Sequence, residues 1–342
     1  MELHRALGVE LPVIQAPMAG VQGSALAIAV AVAGGLGSLP CAMLDAAAIR
    51  REIGAIRSAT SAPFNLNFFC HAVLNADGAR EASWRAALAP YYREFGLDIG
   101  AVPAGAGRIP FGAESAALVE ELRPAIVSFH FGLPAADLLD RVRASGARIL
   151  ASATTLDEAR WLEARGVDAV IAQGLEAGGH RGHFLSDELT LQSGTFALLP
   201  QIVRTVRVPV IAAGGIAGRA GVTAALALGA SMVQVGTAFL CCPEATTSRI
   251  HRRALASEAA QHTALTRLFT GRPARSIVNR LIREVDDSAA PAFPLATAAI
   301  GPLRAAAEAR GSGDFSPLWS GQNASGCSER PAGEVTRALA AA

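Results

Sequence analysis

The sequence predicts an α/β chain folded as a (β/α)8 TIM barrel, with an additional, mostly helical segment after the eighth strand. Three observations predict it. Short apolar runs alternate with helical patterns eight times along the chain. These runs are apolar enough to be buried on both faces, as strands must be when helices cover both faces of a parallel sheet. The last two runs stop abruptly at glycine, in Ala212-Ala-Gly-Gly-Ile216 and Gln234-Val-Gly-Thr237. Glycine at such a turn lets a ligand approach the backbone. Two adjacent turns with bare N–H groups make a seat for phosphate, and the standard phosphate site of a barrel follows strands seven and eight.

Each element has its own warrant. Apolar, largely β-branched or aromatic runs bounded by turn signals read as strands at 13–16, 36–39, 64–67, 126–129, 149–152 and 169–173. The two glycine-ended runs complete the eight. Apolar residues at helical spacing fall in the intervals 24–33, 46–58, 133–145, 156–165, 195–206 and 218–228. An open dinucleotide-binding sheet is the competing arrangement, but no G-x-G-x-x-G follows the first strand. The chain has 342 residues, against roughly 250 for a bare barrel. The surplus has two homes. Residues 1–240 are expected to form the barrel core with its ligand site, interrupted by an insertion at about 71–121. Residues 241–342 are expected to form a helical subdomain or lid over the barrel mouth. Both follow strand ends, where barrel loops shape substrate choice.

Composition removes several function classes. Lys and Arg number 30 against 29 Asp and Glu, for a net charge of +1. That balance leaves no electrostatic footprint for nucleic acid or a membrane surface. Aromatic residues make up 5%, too few for a base-stacking platform. No apolar run is long enough to span a bilayer, and the first residues lack the pattern of a signal peptide. Five cysteines without a C-x-x-C pair argue against a disulfide framework. A cytoplasmic protein is expected, monomeric or homodimeric, without nucleic-acid or membrane partners.

Strand ends are where a barrel places chemistry. They offer Gln15-Ala-Pro-Met-Ala-Gly20, then Asn67 followed by Phe68, Phe69, Cys70 and His71. Next come Ser128-Phe-His-Phe-Gly132, Ser152 with Thr154 and Thr155, and Gln173-Gly-Leu-Glu-Ala-Gly-Gly-His180. This set holds no metal-ligand cluster and no lysine for a Schiff base. It is rich in amides, which both donate and accept hydrogen bonds, as the edge of a flavin demands. Amides, glycine turns and a phosphate seat together suit a flat heterocycle with a phosphate tail.

These motifs, in this order, resemble those of the nitronate monooxygenase family, the FMN-dependent barrels formerly called 2-nitropropane dioxygenases. The likeness rests on the segments just quoted, on Asn65-Leu-Asn-Phe-Phe-Cys-His71, on Gln173 through Gly182, and on Leu318-Trp-Ser-Gly-Gln322. It runs from about residue 10 to about 322. It implies FMN as cofactor, with Ala16, Pro17, Met18, Asn67, Gln173, Gly178 and Gly179 around the ring and ribityl chain. Gly214, Gly215, Gln234, Val235, Gly236 and Thr237 would hold the phosphate, and Gln322 would close over the flavin. It implies His130 as the catalytic residue, beside the flavin and the nitronate. His180 would shape the cofactor loop, His71 is a weaker candidate, and Glu176 reads as a solvated or helix-capping acid. The implied reaction takes an alkyl nitronate, or a nitroalkane, and O2 to a carbonyl compound and nitrite, with no nicotinamide and no metal.

One departure stands out. Some members place a Tyr and a Lys ahead of a Pro-Leu-Arg stretch as anchors for the anionic substrate, whereas Phe293 to Arg304 contains neither. His130 or an arginine, with Arg272 and Arg275 as candidates, would have to replace them. Three other functions compete: an NAD(P)H-dependent FMN reductase acting on a quinone or enoyl thioester, a flavin-free phosphate-binding isomerase or synthase, and a non-catalytic flavin-binding protein.

Overall fold

The computed structural model describes residues 2–73, 77–102 and 108–341. Eight parallel strands form one sheet: β1 (Val13–Gln15), β2 (Gly37–Pro40), β3 (Phe64–Phe69), β4 (Ile126–His130), β5 (Arg148–Ala153), β6 (Ala169–Gln173), β8 (Val210–Ala213) and β9 (Met232–Val235). A two-residue strand, β7 (Gly179–His180), lies outside it. Sheet order follows the chain from β2 round to β9, which pairs with β1. The barrel closes where Leu36, just before β2, exchanges backbone hydrogen bonds of 2.9 Å with Val13 and Gln15. Every strand predicted from sequence is present, shifted at its ends by two residues or fewer.

Alternation along the strands divides the side chains into two cores. Val13, Leu66, Phe129, Ile149, Val170, Ala212, Val233 and Val235 point outward into the layer under the helices. Ile14, Ile126, Leu150, Ile171, Ile211 and Met232 fill the barrel interior, whose cluster includes Leu3 and Leu7 of the N-terminal segment. Toward the C-terminal ends the inward parity becomes polar: Asn65 and Asn67 on β3, Ser128 and His130 on β4, Ser152 on β5, Gln173 on β6 and Gln234 on β9. The apolar lower layers hold the barrel shut, and the polar top layer is the floor of a site.

The insertion predicted at 71–121 contains the helix Gly78–Phe95, whose N-terminus is capped by Asp77, and most of the helix Ala113–Leu122. Residues 74–76 and 103–107 of that insertion lie outside the described residues. The segment after β9 is mostly helical, but it also carries an antiparallel ribbon of β10 (Thr263–Thr266) and β11 (Ala274–Ile277), onto which β7 adds a third strand. The two surplus segments share a core of their own: Trp84, Leu88 and Tyr92 pack with Ala296, Ile300 and Leu303. Trp84 Nε1 donates to the Ala296 carbonyl at 3.3 Å and Tyr92 Oη to the Ala299 carbonyl at 2.6 Å. The last helix, Ala332–Ala340, returns to the barrel wall and packs against the helix Ser24–Val32. No described helix is long and apolar enough to cross a membrane.

Candidate active site

A cavity opens at the C-terminal ends of the strands, with about 180 Å³ open to the centres of water molecules. Of the residues singled out from sequence, it brings together Ala16, Pro17, Met18, Asn67, His130, Gln173, Gly178, Gly179, Gly214, Gly215, Gln234, Gly236 and Thr237. Two of the residues expected to hold the cofactor stay outside. Val235 is 1% exposed and belongs to the outer core, because it lies one residue out of parity with inward-facing Gln234. Gln322 is exposed, and its N–H donates to the Glu176 carbonyl at 2.9 Å. Its neighbours Gly321 and Asn323 face the cavity instead.

The floor suits a phosphate. The N–H groups of Gly214, Gly215, Gly236 and Thr237 donate to no protein acceptor among the described residues. Gly214 and Gly215 hold φ of 114° and 71°, which disfavours any residue with a Cβ. No lysine or arginine lines this end of the cavity, so an anion here would rest on backbone dipoles. The Thr237 hydroxyl accepts from the Gly321 N–H at 2.9 Å, which leaves its own proton free to donate. The fit to a phosphate-bearing ring is thus carried by bare donors and by space that side chains would fill.

The opposite wall is aromatic and neutral. His130 ends β4, immediately before Phe131, whose φ of 70° is unusual outside glycine. The carbonyl of His180 can only accept, so His130 Nε2 carries the proton and donates to it at 3.3 Å. The Ser152 hydroxyl then donates to Nδ1 at 3.0 Å. Burial, with smaller contributions from Arg272 and Arg181, pushes the imidazole down to about 3, although the His180 carbonyl opposes the shift. His130 is a neutral ring with both nitrogens engaged. Gly182 backs it so closely that an added Cβ would lie 2.7 Å from His130 Cε1.

Gln173 acts on the loop rather than by an open amide. Its Nε2 donates to the His180 carbonyl at 3.0 Å and its Oε1 accepts from the Gly182 N–H at 2.8 Å. Asn67 Nδ2 donates to Ser128 Oγ at 2.9 Å. His180 lines the cavity with its ring nitrogen 3.0 Å from Thr270 Oγ1, while His71 is buried behind it against Phe293. Glu176 does cap a helix: its carboxylate accepts from Thr195 N at 2.7 Å.

Neither arginine expected to meet an anion reaches the cavity. Arg272 lies 4.1 Å above the Phe131 ring and donates to the His183 carbonyl. Arg275 donates to the Leu175 carbonyl at 2.9 Å and to Thr263 Oγ1 at 3.2 Å. Residues not foreseen from sequence do line it, namely Arg108, His251, Trp319 and Asn323. Trp319 sits inside Leu318-Trp-Ser-Gly-Gln322, a motif already in view. Arg108 had one available signal, as the only basic residue between Arg93 and Arg123.

A parallel barrel with a polar upper layer and bare glycine turns after its last two strands defines a class, the (β/α)8 enzymes that bind their ligand at the strand C-termini. Within that class the chain belongs to the nitronate monooxygenase family, whose model matches residues 2–341. It is 46% identical over 340 residues to a nitronate monooxygenase of Paraburkholderia phytofirmans, spanning 97% of this chain and 92% of that one. To a nitronate monooxygenase of Pseudomonas aeruginosa it is 44% identical, spanning 98% and 97%. Among solved structures, the nitroalkane oxidase from Streptomyces ansochromogenes superposes with a TM-score of 0.90 at 40% identity, over 97% of this chain and 95% of that one. The chain is therefore an enzyme, a flavin-dependent monooxygenase.

Proposed function

We propose that this protein is an FMN-dependent nitronate monooxygenase of the cytoplasm, which oxidises alkyl nitronates with O2 to carbonyl compounds and nitrite. The observation that carries the reading is the set of four bare N–H groups on two adjacent turns, beneath a neutral histidine, in a chain of this family. The flavin, when bound, supplies the redox chemistry that links substrate to oxygen. Gly214, Gly215, Gly236 and Thr237 hold its phosphate. Asn67, Gln234, Gly178, Gly179 and the Ala16–Met18 turn meet its ring and ribityl chain, and Gln173 acts by fixing the loop that carries His180 and Gly182. Residues 1–240 supply the barrel and cofactor seat. Residues 241–342 act as the cover, a reading supported by Trp319, Gly321 and Asn323 lining the cavity. Five free cysteines, three of them buried, fit a reducing compartment.

His130 decides the form of the substrate. A ring pushed down to about 3, with its Nδ1 lone pair occupied by Ser152, is a poor base for drawing a proton from carbon. The enzyme therefore takes the nitronate, already ionised, in preference to the neutral nitroalkane. His130 orients that ligand against the cofactor while Phe69, backed by Phe131, and Trp319 keep water away.

The test is anaerobic mixing of the flavin-loaded protein with propionate 3-nitronate and, separately, with NADH. The nitronate should change the flavin absorbance and NADH should not, and neutral nitroalkane should react far more slowly. Bleaching by NADH alone would make the protein a flavin reductase acting on a quinone or enoyl thioester. In the same assay His130→Asn should retain FMN while losing most nitronate turnover; an unchanged kcat/KM would remove His130 from the mechanism.

A further inference from the structure

We infer that Arg108 is the anion anchor of this site, the residue whose guanidinium receives the two oxygens of the nitronate. This rests on the nitronate reading above and names the specificity-determining group which that reading lacks.

Three other arginines near the mouth are engaged by protein groups. Arg181 is fully buried, but it donates to the carbonyls of Gly174 and Gln173 and to Gln192 Oε1. Arg275 is spent on a carbonyl and a hydroxyl, and Arg272 on a carbonyl and a ring face. The Arg272 Nε is buried without a partner, but none of the three arginines lines the cavity. Arg108 does line it.

Among the described residues Arg108 has no carboxylate within ion-pair distance. Its Nε is buried without a hydrogen-bond partner. Its one side-chain contact of that kind is a weak one, from a terminal nitrogen to Met43 Sδ at 3.9 Å. The preceding stretch, Pro103-Ala-Gly-Ala-Gly107, contains no acidic side chain, so it supplies no counter-ion.

Arg108 is half-buried and its guanidinium carbon lies 5.5 Å from the centre of the Phe293 ring, but its Nε is withdrawn from water without a hydrogen-bond acceptor, a cost that an anion beside it offsets. Its planar fork matches a planar group with two oxygens, such as a carboxylate or a nitronate, better than an ammonium does. The chain also holds this arginine in place. His71 Nε2 donates to the Arg108 carbonyl at 2.9 Å, and the N–H of Phe111, three residues on, donates to the Phe69 carbonyl at 2.7 Å. Phe69 and Arg108 form the wall shared with a second, mainly apolar cavity lined by Met43, Ile49 and Phe111. The cation therefore stands at the edge of the active cavity, flanked by apolar surface that sharpens its preference for a charged head group.

The test uses flavin-loaded Arg108→Met and Arg108→Lys beside the natural protein. Inorganic nitrate serves as an unreactive planar anion read by its perturbation of flavin absorbance, and a neutral nitroalkane serves as a competitive ligand. R108M should weaken nitrate binding and raise KM for the nitronate by about a hundredfold, with kcat changed much less. R108K should recover part of the loss, and the neutral nitroalkane should bind all three proteins alike. Nitrate and nitronate binding within a few-fold of the natural protein in R108M would overturn the inference. So would an equal loss of the neutral ligand, which would mean that the cavity had collapsed. If the natural protein oxidises no nitronate, the functional reading fails on its own, and the nitrate titrations still decide whether Arg108 receives an anion.

Discussion

At Gly236 the backbone has φ of −113°, open to any residue, and an added methyl would meet only Ala16 Cβ at 3.4 Å and Met18 Sδ at 3.7 Å. At Gly178 the same methyl would lie 2.5 Å from Gly321 N and 2.6 Å from the Ser320 carbonyl carbon, backbone that has to move. The two glycines thus separate ligand space from packing space. Gly236→Ala should leave the stability of the flavin-free protein within about 0.5 kcal/mol. It should weaken FMN by more than about tenfold, the equivalent of one lost hydrogen bond, because the methyl takes up cavity space beside Ala16 and Met18. Gly178→Ala should lower stability and flavin affinity together. Urea unfolding of the apoproteins and a flavin titration check both; FMN bound by G236A as tightly as by the natural protein would move the phosphate elsewhere. Parity also sets where the side chains at two positions expected in the site lie. A motif match does not state which side of a strand or strap faces inward: the Val235 side chain turns into the outer core while Gln234 lines the cavity, and in the strap Gly321 and Asn323 line it on either side of Gln322.

Barrel strands were legible because burial on both faces makes them predominantly apolar runs, and the polar residues toward their C-terminal ends stood out against that background. The ribbon of β7, β10 and β11 was not, since strands of two to four residues in a polar segment leave no pattern. The helix Gly78–Phe95 does carry a stripe at Trp84, Leu88, Tyr91 and Tyr92, but Pro90 among them reads as a breaker. The strap that crosses the phosphate turns is an element of another kind, fixed by single hydrogen bonds. Gly321 N donates to Thr237 Oγ1, Gln322 N to the Glu176 carbonyl, Asn323 Nδ2 to the Gly215 carbonyl at 3.3 Å, and Cys327 Sγ to the Thr237 carbonyl at 3.0 Å. Thr237→Val keeps the shape and deletes the hydroxyl, leaving the Gly321 N–H unpaired at a cost of about 1–3 kcal/mol. Amide exchange at Gly321–Asn323 should quicken and flavin should dissociate faster, with β3 to β6 as protected as before. If neither exchange nor flavin release changes, the remaining three bonds suffice to hold the strap.

Across the whole molecule, histidine burial sets the response to acid. Of the seven histidines in the chain, five are held below the usual range, in each case chiefly by burial. His130 sits at about 3, His251 at about 4, and His71, His180 and His183 are also lowered. An unfolded histidine titrates near 6.5. Between that value and the lowered folded ones the unfolded chain binds more protons, so stability is lost as pH falls through this window. Each such group contributes a slope of up to about 1.4 kcal/mol per pH unit. Surface carboxylates paired with arginine, such as Glu121 with Arg50 and Glu94 with Arg280, are lowered too, but they lose their contribution only below the ordinary carboxylate range and are screened by solvent. Urea midpoints measured on the apoprotein from pH 7.5 down to 5 should therefore begin to fall near pH 6.5, before any carboxylate protonates. A midpoint that stays level to pH 5 and drops only in the carboxylate range would assign acid sensitivity to the surface pairs. It would also mean that the cavity admits enough water to solvate an imidazolium, so that His130 could be charged during turnover.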